Sequence, residues 1–307
     1  MTSQNTFLKH IQITQHPTLT RRPVTKYKAE SELHEEQDWK KDHYVYIIRW
    51  IIEEAKPTTL EDDLYLLIPP VLIILDDFDI QYKTIGVGMV HTMITRMSPS
   101  CIIKSHLDNV FLESLFSCLS YLTQERDVPL LAATYPCLLD LIACTKKQGP
   151  SQCALYERVL IDGIATGLLH AGEKIQFLPI LLEPIPALFD GLGVVGVQYL
   201  KMIIPPLCES VSRPASNPKM KKISVLAANG LRTVMKVCWP RIYAYEGVIF
   251  RSLAKAWSFY YEKQDTDMLA LLKQVYRVFE AACQGKEKAD KEALLKYKPS
   301  VFGPLLM

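Results

Sequence analysis

The chain has 307 residues, 49% hydrophobic and 22% charged, with 19 prolines against 13 glycines and 8 cysteines. That excludes a disordered or collagenous chain, and at this length roughly three quarters of the unfolded surface can be buried without disulfides or metals. A formal net charge of +2 excludes a whole-molecule field directed at nucleic acid or an anionic membrane, and the scarcity of glycine argues against a hairpin-rich β-sandwich.

Residues 1–27 show no sustained period and are expected to form a mobile N-terminal segment. They lack the basic and continuous apolar regions of a signal peptide, so no secretion is implied. Helical spacing then begins with Trp39, Tyr46 and Trp50. The longest apolar run, Leu64–Leu75, contains Pro69-Pro70 and is too short to cross a bilayer, which predicts a buried segment. Further stripes follow at Leu107, Phe111, Leu115, Cys118 and Leu122, then at Leu131, Tyr135, Leu138 and Ile142. Leu160, Ile164 and Leu168 continue the series, and Leu271, Val275, Val278, Phe279 and Ala282 close it. Helix starts and stops stand between them at Ser98-Pro99, Asp127-Val128-Pro129, Gly149-Pro150, Gly172, Asn217-Pro218 and Asp265. The pattern predicts ten or eleven helices of about 15 to 20 residues. A charged final helix is expected from Lys286 to Lys298, within a C-terminal helix and tail over residues 284–307. Asn229-Gly230 is a nominal hairpin signal, but Leu226, Leu231 and Met235 keep helical phase around it.

The eight cysteines are never closer than seven positions and form no C-x-x-C pair. They read as reduced core residues of an intracellular protein.

Internal similarity decides the architecture. Ile68-Pro69-Pro70 is followed by Leu75-Asp76-Asp77, Lys83 and Gly86; Ile204-Pro205-Pro206 is followed by Cys208-Glu209, Ser224 and Ala227. A proline in the first helix of a pair, acids closing it, and a small residue admitting the second helix outline a HEAT-type repeat. The fold predicted is therefore all-α, a HEAT-like helical-hairpin solenoid (an α-α superhelix with right-handed stacking) over residues 28–283.

Charge is unevenly placed. Between Lys56 and Lys83 stand Glu61, Asp62, Asp63, Asp76, Asp77 and Asp79 with no base. Between Glu209 and Glu246 stand Arg213, Lys219, Lys221, Lys222, Arg232, Lys236 and Arg241 with no acid. The basic stretch reads either as a solvated helix face or as a protein-binding surface; it lacks the interleaved aromatics of a nucleic-acid site. Lys219, Lys221, Lys222, Arg232, Trp239 and Arg241 are the candidate partner-binding residues, and reversing Lys221 and Lys222 is expected to weaken binding without lowering the melting temperature. Trp239, just before Pro240, reads alternatively as packing for an interhelix corner.

Gly191-x-Gly193-x-x-Gly196 matches the dinucleotide fingerprint, but prolines at 184 and 186 argue against the strand that must precede it. A helix stop with a tight turn is the competing reading. His34-Glu35-Glu36 lacks a second histidine, and no P-loop or G-x-S-x-G occurs, so no catalytic, cofactor or metal residue is assigned. His91, His106 and His170 read as hydrogen-bonded packing or surface residues.

The runs L-L-I-P-P-V-L-I-I-L-D-D-F-D-I-Q-Y-K-T-I-G (66–86), S-C-L-S-Y-L (117–122) and V-P-L-L-A-A-T-Y-P-C-L-L-D-L (128–141) share an order with L-G-V-V-G-V-Q-Y-L-K-M-I-I-P-P-L (192–207) and C-W-P-R-I (238–242), with Trp257 downstream. In that order they resemble the second Tel-two-interacting protein family, the smallest subunit of the Triple-T (TTT) co-chaperone complex. The resemblance implies a non-enzymatic HEAT-repeat scaffold without cofactors, cytoplasmic and nuclear, that binds a larger Tti-one-type subunit and through it the Tel-two subunit. With the ninety-kilodalton heat-shock chaperone these would mature phosphatidylinositol-3-kinase-related kinases; neither nucleic acid nor membrane is expected as a partner. Two alternatives stay open from the residues: another HEAT-repeat adaptor, such as a transport or phosphatase scaffold, and a nucleotide-binding enzyme using Gly191 to Gly196.

Overall fold

The computed structural model describes residues 40, 43–284 and 288–306. By internal contacts, residues up to Ile48 and residues from Arg49 to Met307 group as two units, and the packing described below belongs to the second.

Among the described residues every regular element is helical. In chain order they are α1 (Tyr44–Glu54), α2 (Pro57–Asp62), α3 (Leu64–Leu75), α4 (Ile80–Arg96), α5 (Pro99–Lys104), α6 (Leu107–Cys118), α7 (Val128–Thr145) and α8 (Pro150–Arg158). A π-helical stretch, Val159–Ala165, leads into α9 (Thr166–Ala171), followed by α10 (Leu178–Leu182), α11 (Ile185–Leu192) and a 3₁₀ stretch, Gly193–Tyr199. The remainder are α12 (Leu200–Ser212), α13 (Pro218–Val237), α14 (Trp239–Ile242), α15 (Glu246–Glu262), α16 (Thr266–Cys283), α17 (Lys288–Tyr297) and α18 (Pro299–Leu306).

The helix-start signals operate as expected. Side chains of Asn217 and Asp265 accept from the backbone N–H of Met220 (2.9 Å) and Met268 (3.2 Å), satisfying donors that a first turn leaves open. The Asn229-Gly230 pair lies inside α13, so it forms no hairpin. Segment length departs from expectation: only α4, α7, α13, α15 and α16 reach 17 residues. Proline is the cause in the stretch between α10 and α11, where Pro184 has no N–H to give and its ring opposes the carbonyl four residues back.

Two helical stretches, Glu125–Thr145 and Leu178–Ser212, are long and apolar enough to cross a membrane. Both are packed against neighbours here, with Leu130, Leu131, Leu181, Leu188 and Ile203 wholly buried.

The elements pair and the pairs stack. Helix α3 packs on α4, α6 on α7, α12 on α13 and α15 on α16; α4 then lies against α7, α12 against α15, and α13 against α16. This is an all-α, solenoid-like arrangement in which each pair buries its apolar face against the next. The repeat read from Ile68 and Ile204 shows in the first helices of the two pairs, α3 and α12, at an offset of 136. In α3, Leu67, Val71, Ile74 and Leu75 are buried; in α12 the same places hold Ile203, Leu207, Ser210 and Val211, also buried. Gly86 lets α4 approach α3, and in the second pair the Ser224 hydroxyl reaches the Ser210 carbonyl at 3.3 Å. Lys83, buried, donates to the Leu75 carbonyl at 2.8 Å and so closes the C-terminal end of α3.

Three expectations need correction. Leu64–Leu75 is not a buried segment: it packs on one side only, and Tyr65, Leu66, Pro69 and Ile73 face outward. An all-apolar helix carries no periodic signal to say which side is covered. In the first stripe Tyr46 and Trp50 are exposed while Val45 and Ile52 are buried; Trp39 lies outside the described residues, as do residues 1–27. The charged helix near Lys286 to Lys298 is followed by a further one, α18, whose Phe302, Leu305 and Leu306 are buried.

Arg96, at the end of α4, reaches back to α1. Its guanidinium donates to the carbonyls of Ile52 and Ala55, at 2.6 Å each, and to that of Glu53. These are last-turn carbonyls that the helix leaves open, and one planar fork satisfies three of them. Arg96→Ala is expected to lower unfolding stability by about 1.5–3 kcal/mol. Arg96→Lys, a single charge without the fork, is expected to recover less than half; urea unfolding curves of the two variants measure both.

Candidate interaction surface

Four of the seven bases between Glu209 and Glu246 are exposed, and three are engaged internally. Arg213 pairs with Glu209 at 3.0 Å, Lys221 with Asp265 at 2.6 Å, and Arg232 donates to Gln274 Oε1 at 2.7 Å. Lys219, Lys222, Lys236 and Arg241 are exposed. The six candidate residues therefore do not form one site. Lys219 and Lys222 stand near the start of α13 and Trp239 and Arg241 in α14 beyond its other end, so at 1.5 Å per residue roughly 25 Å of helix separates them. Arg232 lies between, tied to α16.

Lys221 serves the fold. Asp265 caps α16 while its carboxylate holds the Lys221 ammonium, joining α13 to α16. Reversal at Lys221 would set two acids against each other, which corrects the expectation that a Lys221 and Lys222 double reversal spares the melting temperature; Lys219 and Lys222 are the pair that tests binding alone. The Lys221 hydrogen bond is the first cause holding the Asp265 carboxyl below the usual carboxylate range. A folded-state pKa depressed in this way gives stability that is present above the unfolded value near about 3.9 and is lost as pH falls through the folded value. The melting-temperature gap between wild type and Asp265→Asn is thus expected to be full near neutral pH and to close below about pH 4. Asparagine still caps, so Asp265→Ala is expected to cost about 1 kcal/mol more.

Cys238 and Ile242, both wholly buried, fill the interhelix corner, and Trp239 is only half-buried beside them. The indole is 51% exposed and lines a cleft of about 360 Å³ with Met235, Lys236, Arg277 and Val278. A half-exposed tryptophan between two cations is a composition typical of protein-binding surfaces.

The acidic region forms the second surface. Tyr65 is 72%, Leu66 58% and Ile73 56% exposed on α3, with exposed Asp62, at the end of α2, and Asp76, the C-cap of α3, flanking that helix. The sequence alone missed these residues. Their signal was available only by aligning α3 with α12, where the outward positions carry Lys201, Met202, Pro205 and Glu209.

The glycine motif has another use. Helix α11 covers Ile185–Leu192, where a strand would have to lie, and Gly193, at φ +56°, ends that helix. A side chain at Gly191 would meet the Tyr156 ring and one at Gly196 the Phe189 ring, so both serve packing. The nucleotide-binding reading fails at this motif. Among the described residues no group of three or more His, Cys, Asp or Glu is placed to hold a metal. His91 lies 2.8 Å from Asp140, while His106 and His170 are exposed. Cys118, Cys137, Cys208, Cys238 and Cys283 are buried, and burial pushes the Cys208 and Cys238 thiols up to about 11, away from reactive thiolate.

Comparison with known proteins places this surface in context. A family model described as the Tti2 family matches residues 4–216, which includes α3 and α12 and stops short of Lys219. TELO2-interacting protein 2 of Mus musculus is 25% identical over 236 residues, that of Rattus norvegicus 24% over 227, and that of Homo sapiens 22% over 236. Each alignment takes in 71% of this chain and 43% of the relative, so the chain spans less than half the length of the curated relatives it matches. No solved structure matches.

Proposed function

The chain belongs to the Tti2 family, and on that premise we propose that it is a non-enzymatic scaffold subunit of a TTT co-chaperone assembly. In this reading it binds a larger helical-repeat subunit of the Tti-one type and through it a TELO2-type subunit. The assembly then works with the ninety-kilodalton heat-shock chaperone to mature phosphatidylinositol-3-kinase-related kinases, in cytoplasm and nucleus. One observation carries the reading: the family match runs through a stack of helical pairs from α3 to α12, an architecture that works through extended faces rather than an enclosed pocket. The names of the curated relatives, which state an interaction with TELO2, support it.

The test is affinity purification of the tagged full chain from its own cells, with quantitative mass spectrometry of what accompanies it. TELO2-type and Tti-one-type proteins near equal abundance with the bait are the expected result. Their absence, with a transport or phosphatase machinery in their place, would turn the assignment to a different adaptor.

A further inference from the structure

The outward face of α3 is apolar along its middle and acidic at both ends. Tyr65, Leu66, Pro69 and Ile73 recur at helical spacing and are all exposed, and the exposed Asp62, at the end of α2, and Asp76, the C-cap of α3, stand just beyond its two ends. The internal repeat supplies the control for this face. Helix α12 holds the same place in its own pair, buries the same inward positions, and presents Lys201, Met202, Pro205 and Glu209 outward, all exposed. A helix in this place can therefore be dressed for water, and α12 is. In α3, tyrosine replaces the lysine and isoleucine the glutamate.

We propose that the outer face of α3 docks an amphipathic α-helix of a partner protein whose apolar stripe is flanked by lysine or arginine. Charge selects that occupant. Between Lys56 and Lys83 the chain carries six acids and no base, and exposed acids stand just outside both ends of α3: Asp62, the last residue of α2, before it and Asp76, its C-cap, after it. An anionic lipid surface is repelled by such a rim. Two copies of this chain meeting face to face across a two-fold axis would set acid against acid in either direction, since both ends of the stripe are acidic. A helix of about four turns with aliphatic residues on one side and cations at its ends satisfies both parts of the surface, steering by charge and holding by apolar contact. The proposal deepens the scaffold reading above and rests on it.

The experiment uses the full chain co-expressed with the TELO2-type and Tti-one-type subunits of the same organism, comparing wild type, Ile73→Glu, Tyr65→Ala and, on the equivalent face, Met202→Glu. Each substituted side chain is exposed, so unchanged melting temperatures are expected, with Tyr65→Ala as the milder variant should Ile73→Glu disturb folding. Capture of the partner is expected to weaken tenfold or more for Ile73→Glu and clearly for Tyr65→Ala, and to be unchanged for Met202→Glu. Asp62→Lys with Asp76→Lys is expected to weaken capture and flatten its salt dependence. A photoreactive residue at Leu66 is expected to crosslink to a partner helix bearing the stated pattern. Wild-type capture that Ile73→Glu leaves intact overturns the proposal and spares the scaffold reading. So does a Leu66 crosslink to this chain itself or to a second copy. Wild-type chain that captures neither subunit removes the scaffold reading and the docking site together.

Discussion

Truncating Trp257 to alanine is expected to cost about 3–5 kcal/mol and to free the C-terminal helix α18. Trp257 is among the largest wholly buried side chains, in the middle of α15. Its indole N–H donates to the Val301 carbonyl at 2.7 Å, and the neighbouring Tyr261 hydroxyl donates to the Ser300 carbonyl at 3.1 Å. The ring therefore both fills the core between α15 and α16 and holds the start of α18, whose Phe302, Leu305 and Leu306 lie buried against those two helices. Phenylalanine at this position keeps most of the volume and loses the hydrogen bond, so Trp257→Phe is expected to cost about 1–2 kcal/mol. Hydrogen exchange distinguishes the two contributions: both variants should lose protection across α18, and only Trp257→Ala should lose it deeply in α15 and α16.

Two glycines two positions apart on α4 are expected to respond with opposite signs. A Cβ at Gly86 would stand 2.6 Å from Leu75 Cα and 2.7 Å from Leu75 N, closer than any side-chain rearrangement can relieve, because the obstacle is the backbone of α3. Gly86→Ala forces α3 and α4 apart and is expected to cost about 1–3 kcal/mol, with Gly86→Val costing more. At Gly88 nothing lies within 4 Å, and Gly88→Ala removes glycine's entropy cost inside a helix for a gain of up to about 1 kcal/mol. Midpoints of urea unfolding with unchanged slopes measure both.

The pairwise packing was legible in the sequence because its signal is periodic. Phe111, Leu115, Tyr135, Leu138 and Phe279 recur at turns of a helix and are buried as that spacing requires. Glycine's role at position 86 was legible too, since proline, acid and small residue repeat in order at Ile68 and Ile204. What periodicity could not report was the sidedness of a helix apolar all round, and α3 was read as buried for that reason. Helix α18 was missed because a run of eight residues holding Gly303 and Pro304 resembles a tail; its helical state depends on Trp257 and the core of α15, which no local signal carries. The basic stretch was visible as charge, but its division into paired and exposed bases depends on Asp265 and Gln274, about 40 positions downstream.

The two surfaces differ in what supports them. Lys219, Lys222 and the Trp239 cleft lie beyond the residues that the family model matches, whereas the α3 face lies within them. Both surfaces lie on helices of the stack.

Reconstitution tests that account most directly. The full chain is mixed with the purified Tti-one-type subunit of its own organism and passed through size-exclusion chromatography with light scattering. A single peak with the summed mass of the two proteins, abolished by Ile73→Glu and kept by Met202→Glu, is the result predicted here. Two peaks at the separate masses of the subunits, for wild type at the same concentrations, would contradict it.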